Sequence, residues 1–108
     1  MISTHVLDIA RGMPASGVAV MLEALDGAGW RTIGRGTTDD HGRIGSFADA
    51  PLGAGTYRLT FDTGAYHHSQ DISPFFPNVM VTFDVREEGR HHVPLLLSPH
   101  GYSTYRGT

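Results

Sequence analysis

Apolar and polar residues alternate with a period of two along most of the chain. At residues 57–62, Tyr57, Leu59 and Phe61 alternate with Arg58, Thr60 and Asp62, the pattern of an antiparallel strand with one buried face. At residues 79–85, Val79, Val81, Phe83 and Val85 share one side, and Met80, Thr82 and Asp84 the other. "GVAVMLEAL" and "WRTIGRGTT" predict two further strands joined around "DGAG", a good hairpin signal. "STHVLDI" predicts a short first strand and "HHVPLLLS" a late one; "GYSTYRG" is the last, reached through the turn "SPHG". The alternation breaks at "DTGAYHHSQD", where Asp62 or Thr63 is placed to cap a single short helix. Seven or so short strands separated by turn signals predict an all-β sandwich. The length of 108 residues fits a single domain spanning 1–108.

Strand alternation also sorts the chemistry-bearing side chains. In the late strand, His91, Val93, Leu95 and Leu97 point one way and Arg90, His92, Pro94 and Leu96 the other. The first set belongs to the core, with His91 at its wet end. The second set is the outer face, and Pro94 and Leu96 make it apolar enough to suggest a subunit interface. In the last strand Ser103 and Tyr105 form one alternate set, and Tyr102 and Thr104 the other. The first strand offers His5 and Leu7 on a common side. Two imidazoles, a hydroxyl and a phenol can therefore meet on one apolar-walled surface.

Composition narrows the chemistry. There is no Cys, so a disulfide framework, a thiolate nucleophile and a Cys-ligated metal are excluded. All eight cations are Arg, which removes Schiff-base chemistry and a lysine base. A formal charge of -3 argues against a nucleic-acid partner. The opening "MISTHVLDIARG" has no basic segment followed by a long apolar run, so no membrane partner is expected and the cytoplasm is the expected location. Of the seven histidines, His67–His68 and His91–His92 are adjacent pairs, which on a strand face opposite sides and cannot share an ion. With no HxxxH or HxH spacing joined by a carboxylate, no metal site is expected. His41, His67, His68 and His100 read as surface residues.

Longer motifs carry more information. "STHVLDIARGMPASGVAV", "HGRI", "GTYRLTFDTGAY", "FFP" and "HVPLLLSPHGYSTYRGT" together resemble the transthyretin-related 5-hydroxyisourate hydrolases along essentially the whole chain. The closing Tyr105-Arg106-Gly107-Thr108 is similar to the family's terminal Tyr-Arg-Gly-Ser, with Thr108 at the Ser position. His100 stands where an aromatic residue is commoner, and "AYHHSQ" departs from the usual sequence after "TGAY".

The resemblance implies a transthyretin-like (prealbumin-like) β-sandwich of seven to eight strands with one short helix. It implies a homotetramer, a dimer of dimers with active sites in the channel between them. The implied reaction opens the cyclic amide of 5-hydroxyisourate to 2-oxo-4-hydroxy-4-carboxy-5-ureidoimidazoline in urate breakdown, with no cofactor. The site residues it implies are His5, Arg43 and His92 for catalysis, with Ser103 and Tyr105 binding substrate beside His5 and Arg43. The alternative is a transthyretin-like carrier of a small planar ligand; the two histidines and the Tyr-Arg-Gly ending favour the enzyme. A neutral histidine, with an ordinary pKa of about 6.5, suits proton removal from water. Arg43 stays charged at any working pH and suits a developing oxyanion. The residues do not rank His5 against His92 as the base.

Overall fold

The computed structural model describes residues 1–48 and 52–108. Seven strands of four to nine residues carry the fold: β1 (Ile2–Asp8), β3 (Ala19–Asp26), β4 (Gly29–Thr37), β6 (Gly55–Phe61), β7 (Val79–Val85), β8 (His91–Ser98) and β9 (Gly101–Thr104). Two-residue strands β2 (Met13–Pro14) and β5 (Arg43–Ile44) are added, and one helix, α1 (Thr63–His68), follows β6. One sheet runs β2-β1-β8-β9 with β5 also against β1; the other runs β4-β3-β6-β7. Every pairing is antiparallel except that of β1 with β8. The result is the expected all-β sandwich with one short helix.

The period-two pattern explains which faces meet. Ile2, Val6, Leu95 and Leu97 from one sheet and Val20, Leu22, Leu59 and Phe61 from the other are buried between the layers. Each such side chain contributes about 1.5–3 kcal/mol on full burial. Thr4 is also inside, where its hydroxyl donates to the Val93 carbonyl at 2.6 Å and ties β1 to β8. On the outward side of the second sheet, Glu23 accepts from Nε and Nη2 of Arg58 at 2.9 and 2.8 Å. The guanidinium lies 4.2 Å from the Trp30 ring centre, a cation–π contact that shields the pair from water.

The hairpin at "DGAG" turns through Gly27 and Ala28, with Asp26 accepting the Ala28 N–H at 2.8 Å. α1 starts where the polar pattern placed it: the Asp62 carboxylate caps the Ala65 N–H. The helix corrects one expectation. His67 is not a surface residue; it is 1% exposed, whereas His41, His68 and His100 are exposed. Successive helical residues point in different directions, so α1 turns Tyr66 and His67 inward and leaves His68 outside. Tyr66 donates to buried Asp8 at 2.7 Å, and the His67 ring packs edge-on against Tyr66. Burial lowers the proton affinity of His67, with the Asp8 charge partly opposing it.

Candidate active site

The parallel pairing of β1 with β8 joins segments from opposite ends of the chain. It sets Ser3 opposite His92, His5 opposite Pro94, and Leu7 opposite Leu96. These residues alternate with the buried set Thr4, Val6, Val93 and Leu95, so they form the outward face of the sheet. On the far side of β1, β5 places Arg43 opposite His5. Beyond β8, β9 places Ser103 opposite Leu96. One sheet face thus gathers His5, Arg43, His92 and Ser103 around Leu7, Pro94 and Leu96.

A tight turn delivers Arg43. The Asp39 carboxylate accepts the backbone N–H groups of His41 and Arg43 at 2.8 and 3.0 Å. These bonds, with the Arg43 N–H the stronger influence, hold its carboxyl below the usual carboxylate range. Gly42 takes a φ of 76° and its carbonyl accepts from Val6 at 2.7 Å; a Cβ there would run into the Val6 carbonyl. The turn also aims the His41 carbonyl at Nε2 of His5, 2.8 Å away. A carbonyl only accepts, so Nε2 carries a proton, and in the neutral ring Nδ1 bears the lone pair.

His92 is half-buried, and its Nδ1 lies 2.8 Å from the Ser3 hydroxyl. Burial lowers its proton affinity, and the nearby charges of His5 and Arg43 lower it further. The ring is therefore biased toward the neutral form that can take a proton. A cleft of about 590 Å³ opens beside it, lined among others by Ser3, Arg43, Arg90, Arg106 and Gly107.

The chain end continues along β8. Gly107 donates to the His92 carbonyl at 2.7 Å, in the register that Leu95 and Thr104 already share. The last strand was expected to run through Gly107 but stops at Thr104. That register sets Tyr105 opposite Pro94, which has no N–H to give, so the ladder is interrupted there and resumes at Gly107. Gly107 packs on the catalytic candidate itself: a Cβ would lie 2.5 Å from Cδ2 of His92 and 3.2 Å from Cγ of Pro94.

Of the residues implied by the resemblance, His5, Arg43 and His92 share one sheet face, and Arg43 and His92 also line the larger cleft, whereas His5 lines neither. Ser103 shares their face but lines neither cleft next to His92. Tyr105 is largely exposed and lines a smaller neighbouring cleft of about 290 Å³, which shares His92 and Arg106 with the first. Ser3 and Asp39 were not singled out from the sequence, and Arg90 was read only as a member of the outward set of the late strand. Ser3 was within reach, because alternation places it beside His5; Arg90 carries no motif, and the carboxylate of Asp39 shows its role only once the turn is folded.

A two-sheet sandwich of this strand order with one short helix defines the class as transthyretin-like. Sea bream transthyretin, solved in complex with thyroxine, superposes with a TM-score of 0.92 at 35% identity, covering 99% of this chain and 94% of that one. Klebsiella pneumoniae 5-hydroxyisourate hydrolase superposes with a TM-score of 0.90 at 40% identity, covering 99% and 98%. The chain belongs to the HIUase/Transthyretin family, whose profile matches residues 2–107. A probable 5-hydroxyisourate hydrolase of Caenorhabditis elegans is 46% identical over 99% of this chain and 80% of its own length. The 5-hydroxyisourate hydrolase of Salmonella typhimurium is 44% identical over 100% and 81%.

Proposed function

We propose that this chain is a 5-hydroxyisourate hydrolase of urate degradation, and that His5, Arg43 and His92 carry the reaction. The observation that supports it most is the shared outward face: β1, β5 and β8 bring both imidazoles and the guanidinium together in register. The fold alone does not separate hydrolase from carrier, since both solved relatives superpose about equally well. The imidazole pair favours the hydrolase, because binding a planar ligand needs no group that moves protons.

In this reading water attacks the ring carbonyl while a neutral histidine takes its proton. The C–N bond then opens, the leaving ring nitrogen takes up that proton, and the acid so formed releases the second water proton to solvent and is left as a carboxylate. General-base assistance is worth about 10²–10⁴ in rate. Arg43 faces the oxygen on which charge develops, a role worth roughly 2.7–4 kcal/mol in a water-excluded site. Ser103 and Tyr105 hold the ring through hydrogen bonds, and Leu7, Pro94 and Leu96 wall its flat face. That apolar wall on an open sheet face also supports assembly into a homotetramer, a dimer of dimers whose channel encloses the site. No helix among the described residues is long and apolar enough to cross a membrane; the cytoplasm remains the compartment of the proposal.

The test is the ultraviolet decay of freshly generated 5-hydroxyisourate with and without the protein, beside light scattering for subunit number. Catalysed decay by a tetramer supports the reading. Saturable binding without turnover would replace it with the carrier.

A further inference from the structure

We propose that Ser3 is a positioning residue: its hydroxyl oxygen accepts the Nδ1–H of His92 and so keeps Nε2 of that ring bare toward the cleft. The inference rests on the reading of His92 as a proton-moving group of this site, and it adds which nitrogen does the work and what holds it ready.

Register places Ser3 directly opposite His92 on the outward face, with Oγ 2.8 Å from Nδ1. The opposite edge of the ring is covered by the chain end, since a Cβ on Gly107 would fall 2.5 Å from Cδ2 and 3.2 Å from Cγ. With Nδ1 and Cδ2 both occupied, Nε2 and Cε1 are the open corner of the imidazole.

A serine hydroxyl both donates and accepts, so the bond by itself permits either tautomer. The surrounding charge decides between them. Arg43, Arg90 and Arg106 line the cleft with His92, Arg106 also meeting the Glu87 carboxylate at 3.6 Å, and His5 lies on the neighbouring strand. The smaller cleft adds Asp84, His91 and Tyr105 on its other flank. The lining of the larger cleft holds three guanidiniums, one of them shared with Glu87, and among the described residues no Asp or Glu, so the cleft is cationic. A neutral imidazole carries the positive end of its dipole at N–H and the negative end at its lone pair. The cationic cleft therefore favours the lone pair at Nε2 and the hydrogen at Nδ1, where the Ser3 oxygen receives it. His5 differs: the His41 carbonyl fixes its tautomer without help from the field.

The proton steps then balance at one atom. As the water oxygen bonds to the ring carbonyl carbon, its proton passes to Nε2; as the C–N bond breaks, Nε2 returns that proton to the leaving nitrogen. Nδ1–H stays on Ser3 throughout and stabilises the transient imidazolium.

The test compares Ser3→Ala and Ser3→Thr with the parent protein in the decay assay, together with long-range ¹H–¹⁵N correlation of labelled histidine rings. We expect a bare Nε2 and a protonated Nδ1 on His92 in the parent. Ser3→Ala should lower kcat by about 10²- to 10⁴-fold, the range spanned by general-base assistance and loss of the right tautomer. KM should stay within about twofold, because substrate does not touch Ser3 in this scheme. Ser3→Thr keeps a hydroxyl on a residue suited to a strand and should recover most of the rate. A protonated Nε2 in the parent, an undiminished kcat in Ser3→Ala, or no recovery in Ser3→Thr would each overturn the proposal. A parent protein with no turnover would instead defeat the functional reading, while its spectrum would still decide the tautomer.

Discussion

Replacing Gly107 by Ala tests whether the chain end positions the site or merely decorates it. The backbone at Gly107 does not have the positive φ that would by itself reject a side chain, so the perturbation is one methyl group in a defined place. That methyl would sit 2.5 Å from Cδ2 of His92, against an ordinary contact of 3.4 Å or more. Ring and tail must therefore separate by about 1 Å, a misplacement that can cost roughly 10²-fold in rate. Two further contacts resist relief: the methyl also meets Cγ of Pro94 at 3.2 Å, and the ring is held from behind by Ser3. The core is untouched, because Gly107 lies outside both layers. Expected, then, is a fall of about 10²-fold in kcat/KM for 5-hydroxyisourate decay, with thermal unfolding followed by circular dichroism nearly unchanged. A Gly107→Ala protein with parental kinetics would show that the tail does not set the position of His92.

Arg43→Ala should lower kcat by about 10²–10³-fold while stability moves by less than about 0.5 kcal/mol, since the side chain is exposed; steady-state rates and melting curves check both halves. His67→Leu should be neutral to stabilising by about 1 kcal/mol, because neither buried ring nitrogen has a hydrogen-bond partner among the described residues. It should also flatten the acid side of the stability profile. Burial depresses the proton affinity of folded His67, so as pH falls through the ordinary histidine range, about 7 to 5, the unfolded chain binds a proton that the folded one refuses. The parent loses stability there and the variant should lose less, as urea titrations at several pH values will show. Glu23→Ala should cost about 2 kcal/mol by stranding a largely buried guanidinium, read as a lower urea midpoint at unchanged slope.

Alternation is a local property of extended backbone, and the residues alone therefore determined a great deal. They marked seven strands, the buried sets through Leu59, Phe61 and Leu95, a helix cap at Asp62 or Thr63, and the outward set of Arg90, His92, Pro94 and Leu96. The family motifs named His5 and Arg43 as their companions. What no local pattern could set was which strands lie side by side and in what register. Ser3 meets His92 only because segments 89 positions apart pair in parallel. The tail covers His92 only because it stays in register past Pro94, where the sheet itself cannot bond. His67 is inside because α1 packs one of its sides on Asp8 and Tyr66, and a pair of adjacent histidines reads the same in sequence whichever of them faces inward. Strand faces follow from neighbouring residues; partners across a sheet follow from the packing of the whole chain, and the candidate site is built from those partners.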